Sequence, residues 1–186
     1  KPMLWGLAFT LFNGRATWDK AGSANANGEA VWIDDELPEG ASTEADGGDA
    51  WTWVESDPAP FSGTKAHQSN IAAGEHQHFF HSGSLPYTAG DTLFAYVYLD
   101  PSNKPTEIMV SWCADNWEHR AYWGADKINY GTANSAGRYY AGALPAAGQW
   151  VRLEVPAKAV GLEGASVKGM GFGQFDGRAT WDKIGK

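Results

Sequence analysis

The chain is dominated by short apolar runs separated by turn-forming residues, and this pattern limits the folds open to it. Runs such as TLFAYVYL (Thr92–Leu99), EIMVSWC (Glu107–Cys113) and WVRLEV (Trp150–Val155) span about four to eight residues and are bounded by Gly, Pro, Asn or Asp. The one helix-like stretch is AKAVGL (Ala157–Leu162), so strands and helices do not alternate. The pattern predicts an all-β fold, a two-sheet antiparallel β-sandwich of the jelly-roll type.

An internal repeat links the two ends of the chain. GRATWDK occurs at Gly14–Lys20 and again at Gly177–Lys183, and the match extends without a gap from Gly6–Gly22 to Gly169–Gly185, at a constant offset of 169 − 6 = 163. A repeat at fixed offset decides what counts as the folding unit. We interpret the N-terminal copy as a duplicate of the last two strands of the module.

The repeat and the polar stretches divide the chain into three parts. Residues 30–186 are predicted to form the β-sandwich module, residues 23–29 (SANANGE) a linker, and residues 1–22 an extra N-terminal β-hairpin that turns at Asn13–Gly14. Within the module, ELPEGASTEADGGD (Glu36–Asp49) is predicted to be a long surface loop.

The predicted N-terminal hairpin needs a cover, because an isolated hairpin is marginal in water. Its apolar side chains, the candidate assembly residues, are Trp5, Leu7, Phe9, Leu11 and Phe12. Two docking modes are open. The hairpin packs on its own domain as an edge hairpin, or it adds to a neighbouring copy of the module by strand addition. The second mode is head-to-tail and does not close, so it predicts a filament.

Composition narrows the possible partners. The 186 residues carry a net charge of −8, which argues against nucleic acid and anionic membranes as partners and is compatible with calcium. A single cysteine, Cys113, allows no intrachain disulfide, which fits an extracellular bacterial protein as well as a cytosolic one. No apolar run approaches the roughly 18 residues of a membrane span. The apolar start is not expected to be a signal peptide, because the same segment recurs near the C-terminus.

Three stretches resemble a known type of module. They are WEHRAYWGADKI (Trp117–Ile128), the segment Gly142–Phe172 and GRATWDKIG (Gly177–Gly185). Together they resemble a module repeated in large bacterial cell-surface and secreted proteins, including some of the RHS-repeat type. More loosely, the chain is similar to jelly-roll carbohydrate-binding modules and concanavalin-like domains. The resemblance implies a non-catalytic β-sandwich that is extracellular or displayed at the bacterial cell surface, often one of several in a chain. It carries over no ligand residue by residue.

A cluster of aromatic and polar residues is the candidate carbohydrate-binding site. Sugars present C–H faces that stack on aromatic rings and hydroxyls that pair with polar side chains. The candidate residues are Trp112, Asp115, Asn116, Trp117, His119, Arg120, Tyr122 and Trp123, with Tyr130, Tyr139 and Tyr140 nearby. Tyr122 and Trp123 are neighbours on a strand and face opposite ways, so one of them enters the core. Trp51 and Trp53 form a second candidate patch. The alternative is that most of these rings are core residues.

Carboxylates and histidines offer possible metal ligands. The resemblance to jelly-roll binding modules implies a structural Ca²⁺ held between an early strand, which carries Asp34 and Asp35, and an acidic residue of the last strand, where Asp182 lies. The alternative is that these are solvated loop acids and a structural hydrogen-bond acceptor. His76 and His78 project from one face of a strand, which fits either zinc, with His67 or His119 as third ligand, or hydrogen-bonded structural histidines.

Catalytic motifs are largely missing from the sequence. There is no E-x-D-x-x-E strand of a jelly-roll glucanase, and no spacing singles out the carboxylate pair that glycoside hydrolysis needs. A polysaccharide lyase could use His119, Arg120 and Tyr122, without the companion motifs expected of one. We therefore predict a non-catalytic glycan-binding module whose partners are a polysaccharide or glycan and neighbouring copies of itself. A structural or adhesive repeat is the main alternative and an enzyme the third.

Overall fold

A computed structural model of the chain describes residues 28–186, apart from the side chain of Ser82. The described part contains twelve strands and a single-turn 3₁₀ helix, Ala157–Val160. The strands are β1 (Val31–Ile33), β2 (Ser42–Asp46), β3 (Thr52–Val54), β4 (Ala66–Gln68), β5 (Ala72–Pro86), β6 (Thr92–Leu99), β7 (Glu107–Cys113), β8 (Arg120–Gly124), β9 (Tyr139–Gly142), β10 (Trp150–Pro156), β11 (Ser166–Gly177) and β12 (Ala179–Gly185).

Two sheets form a sandwich, which confirms the predicted fold class. The first sheet has the order β10-β6-β12-β4-β3, with β1 pairing beside β12, and the second has the order β2-β5-β11-β7-β8-β9. All pairs are antiparallel except β8 and β9, which run parallel. A parallel pair needs a connection of about a dozen residues or more, and residues 125–138 provide it.

The core lies between the sheets and centres on the last two strands. β11 lies between β5 and β7, and β12 lies between β6 and β4. Trp181 from β12 and Phe172 from β11 are among the largest fully buried side chains, and their rings are 5.3 Å apart. These two consecutive strands therefore connect the centres of both sheets.

The C-terminal twin of the predicted hairpin is not a hairpin. β11 and β12 belong to different sheets, and the turn at Asp176 and Gly177, both with positive φ, carries the chain from one sheet to the other. The hairpin geometry predicted for the copy at residues 1–22 therefore does not hold for this pair, because β11 pairs with β5 and β7 in one sheet and β12 pairs with β6 and β4 in the other. Residues 1–22 themselves, and the linker at 23–27, lie outside the described residues.

Two local features differ from or add to the expectations. The predicted surface loop at 36–49 contains strand β2, whose five residues are all exposed and which pairs with β5 at the sheet edge. A polar strand at an edge has no buried face, so the sequence lacks the apolar alternation that would mark it. At the start of the module, Ala30 and Lys186 exchange backbone hydrogen bonds of 2.9 and 3.1 Å.

Residues 28–186 contain no helix with the length and apolar character needed to cross a membrane.

Candidate functional site

The outer face of β11 is bare along the middle of the second sheet. The strand reads KGMGFGQF over residues 168–175. Its inward side chains are all buried: Met170, Phe172 and Gln174. Its outward positions are glycines: Gly169, Gly171 and Gly173. Because the neighbouring strands carry side chains on this face, the glycines form the floor of a trough, and glycine in a strand often marks close approach of a ligand.

A row of side chains crosses the sheet at the middle glycine. Phe79 of β5 and Ser111 of β7 are the direct partners of Gly171 on either side. Arg120 of β8 is the partner of Ser111. Directly opposed residues share a face of the sheet. The trough is therefore bounded by a phenyl ring on one side and by a hydroxyl and a guanidinium on the other.

Trp117 closes one end of the trough. It lies in the loop between β7 and β8, and its ring reaches across β11 to meet two rings of β5. The centroid of the Trp117 ring lies 5.8 Å from that of Phe79 and 5.4 Å from that of His81, and both contacts are edge to face. Trp117 also passes 3.7 Å from where a Cβ on Gly171 would lie. The indole thus packs over the floor instead of entering the core.

Tyr130 closes the other end. It lies in the loop that joins β8 to β9, and its hydroxyl accepts a hydrogen bond from Gln77 Nε2 of β5 at 3.4 Å. Ile128 of the same loop approaches the floor, 3.8 Å from a Cβ position on Gly173. The open pocket between them has a volume of about 210 Å³ and is lined by Gln77, Phe79, Ser111, Trp117, Arg120 and Tyr130.

Arg120 is the buried charge of this pocket. Its residue is 8% exposed, and its Nη1 donates to Glu118 Oε1 at 3.0 Å and to the Gly137 carbonyl at 3.1 Å. The guanidinium carbon lies 5.6 Å from the centroid of the Tyr130 ring, a cation–π distance. Within residues 28–186 both of these hydrogen bonds use Nη1, and the Arg120 side chain lines the pocket. The Glu118 carboxylate, the Gly137 carbonyl and the Tyr130 ring therefore position the guanidinium before any ligand binds.

Tyr130 presents a neutral phenol. Burial, and secondarily the nearby Glu75 carboxylate, raises the pKa of Tyr130 to about 12. The hydroxyl therefore keeps its proton through the physiological range and can donate as well as accept a hydrogen bond.

Sequence-predicted carbohydrate residues divide between the pocket, the core and the surface. Trp117 and Arg120 line the pocket. Trp112 and Trp123 are 4% and 6% exposed and belong to the core, so they cannot serve in a surface platform. The reason is strand alternation: Trp112 follows the outward-facing Ser111, so it faces inward. Tyr122 is also buried, in a small cluster under the loop that carries Tyr130.

The remaining predicted residues surround the pocket without lining it. Asp115 is exposed and lies 3.6 Å from Lys168 Nζ, and Asn116 accepts a hydrogen bond from the Glu118 backbone at 2.7 Å. His119 Nδ1 donates to the Val160 carbonyl at 2.7 Å, on the far side of β8 from the pocket. The predicted lyase trio of His119, Arg120 and Tyr122 therefore does not converge.

Three pocket residues were missed: Gln77, Phe79 and Ser111. Nothing in their own sequence context distinguishes them, because each is one position in an ordinary strand. The available signal was G-x-G-x-G in β11, which marks an outward face without side chains and so points to whatever strands lie beside it.

Two of the three predicted calcium ligands lie together. Asp182 Oδ2 accepts hydrogen bonds from the backbone N–H groups of Phe61 and Ser62, at 2.7 and 2.9 Å. Ser62 Oγ bonds Asp34 Oδ2 at 3.2 Å, and Asp34 Oδ1 has no hydrogen-bond partner among the described residues. Burial, with the neighbouring Asp34 adding to it, raises the pKa of Asp182 to about 6.

The third predicted ligand is turned elsewhere. Asp35 Oδ1 accepts hydrogen bonds from the backbone of Thr64 and Lys65, at 2.6 and 2.8 Å. Across residues 28–186, no three His, Cys, Asp or Glu side chains are arranged to hold a metal ion. Calcium binding at Asp34 and Asp182 stays a prediction, and it would need backbone or water oxygens as well.

A hydrogen-bonded chain of buried histidines lies in the core beneath the trough. His67 Nδ1 and His78 Nε2 are 3.0 Å apart, and His78 Nδ1 donates to Asp49 Oδ2 at 3.0 Å. Gln174 Nε2 donates to the same oxygen of Asp49 at 3.0 Å. Burial raises the pKa of Asp49, but hydrogen bonds from His76 and His78 outweigh it and hold that pKa below the usual range. Burial lowers the pKa of His67 well below its ordinary value.

Trp51 packs directly on this chain of histidines. Its ring centroid lies 4.8 Å from that of His67 and 4.7 Å from that of His78, and its indole N–H donates to the Phe79 carbonyl at 3.0 Å. Trp53 stacks on it at 6.3 Å. The second aromatic patch considered from the sequence is thus mostly packed against the core. The candidate assembly residues from Trp5 to Phe12 lie outside the described residues.

Comparison with known proteins gives the fold but no relative in sequence. No family model matches the chain, and no curated protein sequence matches it. Among solved structures, the K3 cleaved adhesin domain of Lys-gingipain from Porphyromonas gingivalis is similar, with a TM-score of 0.50 and 15% identity over 84% of this chain and 98% of that one.

Carbohydrate-binding modules are also similar in structure. A family 11 module from Clostridium thermocellum, solved in complex with a β-1,3-1,4-mixed-linked tetrasaccharide, has a TM-score of 0.48 and 12% identity over 87% of this chain and 96% of that one. A structure of carbohydrate-binding modules from the β-sandwich superfamily has a TM-score of 0.49 and 12% identity over 86% of this chain, which spans 62% of the length of that one. At these identities the likeness concerns the β-sandwich fold alone.

Proposed function

We propose that this chain is a glycan-binding module whose pocket on the second sheet takes a sugar ring. The observation that carries the proposal is the pocket itself, with a glycine floor, three aromatic walls and a buried, prepositioned arginine. Ligand pockets are mainly apolar with a few placed polar groups, and this one has that composition.

Each part of the pocket matches a part of a sugar. The indole of Trp117 and the ring of Tyr130 are flat surfaces for the C–H face of a pyranose. The Arg120 guanidinium supplies donors, and Gln77 and Ser111 supply both donors and acceptors, for the ring hydroxyls. Because Gly171 has no side chain, a ring can approach the sheet backbone closely.

Binding without hydrolysis is part of the proposal. Glycoside hydrolysis uses two carboxylates across the scissile bond, and none of the six lining residues is acidic. Glu118 is paired with Arg120 at 3.0 Å, and its side chain is 56% exposed. These observations support a non-catalytic role, which agrees with the extracellular or cell-surface setting expected from the resemblance to surface modules.

A second candidate is a structural or adhesive repeat of a larger surface protein. The observation that favours it is the copy of the last two strands at residues 6–22. The two functions are compatible, since a repeated module can bind glycans at each unit. They differ in one respect: a purely structural repeat would show no specific sugar binding.

A glycan array followed by calorimetry tests the first proposal. We expect wild-type binding to a restricted set of glycans, and we expect Trp117→Ala to weaken it by about 5- to 150-fold. This range corresponds to about 1–3 kcal/mol for one stacking face, by analogy with base stacking on aromatic side chains. The matched control is Phe61→Ala, which removes a ring that is 43% exposed on the other sheet, where it stacks on Tyr96. Equal loss in both variants, or no glycan bound at all, would reject the pocket as a sugar site.

A further inference from the structure

The glycines of the last two strands show which features of residues 169–185 the fold requires. Three of them have no space for a side chain, because an added Cβ would lie within 2.3 Å of a backbone oxygen. These are Gly169 (2.2 Å from Phe80 O), Gly177 (2.3 Å from Asn103 O) and Gly185 (2.1 Å from Ala30 O). Two others do have space: a Cβ on Gly171 would be 3.3 Å from its nearest neighbour, and one on Gly173 would be 3.7 Å.

The N-terminal copy follows the same steric rule. The three obligatory glycines correspond to Gly6, Gly14 and Gly22. The two permissive ones correspond to Ala8 and Thr10. If the copy did not occupy such a place, glycine would not be required at the positions where the sandwich leaves no space for a side chain. The copy therefore retains the sequence requirements of the same place in a sandwich.

Side chains that make specific contacts in this place are retained as well. Trp181 and Asp182 are fully buried, and Arg178 forms an ion pair with Asp100 at 2.6 Å. The copy has the same residue types at the three matching positions: Trp18, Asp19 and Arg15. An edge hairpin would need none of these, since they serve a pair of strands that lies at the centre of two sheets.

The position of residues 30 and 31 beside residues 185 and 186 makes an exchange within one molecule possible. Val31 pairs with Gly185, next to the two hydrogen bonds between Ala30 and Lys186. Gly22, the counterpart of Gly185, is joined to Val31 by residues 23–30. Such a connection is long enough to close an antiparallel pair. A segment tethered this closely also has an effective concentration far above that of a second molecule.

We propose that residues 6–22 are an alternative for residues 169–185, able to form the two central strands of this chain's own sandwich. The two segments compete for one place. The C-terminal segment is favoured in the wild type because Gln174 donates to Asp49 and Ile184 fills the core, where the copy has Leu11 and Ala21. In this proposal, residues 6–22 replace residues 169–185 of the same molecule, and not those of a second copy.

Four full-length proteins test the exchange: wild type, Trp181→Asp, Trp18→Asp and the double variant. Trp181→Asp places a charge at a fully buried position and so removes the C-terminal strands from competition. We expect it to keep a cooperative thermal transition at a lower midpoint, because residues 6–22 take over. Trp18→Asp alone should melt like the wild type, and the double variant should have no transition. Identical behaviour of Trp181→Asp and the double variant, whether both folded or both unfolded, overturns the proposal.

A second substitution reports on register. Leu11→Gln in the Trp181→Asp background should raise the melting midpoint by about 2–4 °C or more, because residue 11 then restores the hydrogen bond that Gln174 gives to Asp49. The same change in the wild-type background should give no increase. Light scattering decides the occupant: a monomer whose melting does not depend on concentration supports exchange within one chain. An oligomer with concentration-dependent melting overturns that form in favour of a second copy.

Discussion

The ring of Trp117 meets the ring of Phe79 edge to face, with centroids 5.8 Å apart, across a strand that separates them. This contact is possible because the strand between them carries Gly171 at that level. An indole laid over a glycine floor creates a concave surface on a sheet that would otherwise be flat. The following predictions concern that surface and the core beneath it.

Filling the floor of the pocket should abolish binding and leave the fold intact. In Gly171→Val the new side chain starts 3.3 Å from Phe79 Cβ and 3.6 Å from Ser111 Cβ, so it fits with small adjustments and occupies the space proposed for the sugar. We expect at least a tenfold loss of glycan affinity, about 1.4 kcal/mol, measured by calorimetry.

The contrasting variant is Gly169→Ala, on the same strand and face. Its Cβ would lie 2.2 Å from the Phe80 carbonyl oxygen, so the backbone must shift. We expect a loss of about 1–3 kcal/mol in unfolding free energy, measured by denaturant titration. If Gly171→Val bound glycans as well as the wild type, the pocket would be misplaced.

Trp112 should behave as a core residue. Because it is 4% exposed among the apolar side chains between the sheets, Trp112→Ala should lower the unfolding free energy by about 3–5 kcal/mol. The milder Trp112→Phe should stay folded and bind glycans like the wild type, as judged by calorimetry. A selective loss of binding in a fully stable Trp112→Phe would return this residue to the site.

The contribution of His67 to stability should fall as the pH drops below the ordinary pKa of histidine. The pKa of His67 is lowered in the fold, so below its ordinary pKa the unfolded chain binds a proton at His67 and the native chain does not. The stability that neutral His67 contributes is therefore fully present above about pH 6.5 and declines toward lower pH. The depressed pKa of Asp49 adds a further loss at more acidic pH, below about 3.9.

Substituting His67 isolates its share of the pH dependence. His67→Gln keeps an amide beside His78 and removes the titrating group, so its unfolding free energy should decline less between pH 7.5 and pH 5.5 than that of the wild type. Urea titrations at several pH values measure this. Parallel pH profiles for the two proteins would show that His67 does not titrate differently on unfolding.

Calcium, if bound, should act through Asp182. A cation next to Asp34 and Asp182 would favour the ionised carboxylates, so excess calcium should raise the melting temperature. At a free calcium concentration of 100 times the Kd, the unfolding free energy should rise by about 2.7 kcal/mol. Asp182→Asn should remove this rise while the backbone contacts from residues 61 and 62 keep an oxygen acceptor. Identical melting of the wild type in calcium and in chelator would reject the metal site.

The amino-acid sequence by itself determined the class of fold. Short apolar runs between turn residues can satisfy their backbone hydrogen bonds in sheets, and alternation such as that of Leu153 and Val155 gives each strand a face to bury. The same alternation in β11, with glycine at three outward positions, Gly169, Gly171 and Gly173, marked the floor of the pocket.

Tertiary structure decided which aromatic residues reach the surface and which strands meet. Trp112 and Trp117 look alike in the sequence, yet one enters the core and the other crosses β11, because strand direction and loop reach depend on neighbours far away in the chain. The turn at Asp176 and Gly177 resembles a hairpin turn, but the partners of β11 and β12 lie in separate sheets. Local sequence specifies the turn and the two faces of each strand, whereas pairing between strands is a non-local choice made by the packing of the whole core.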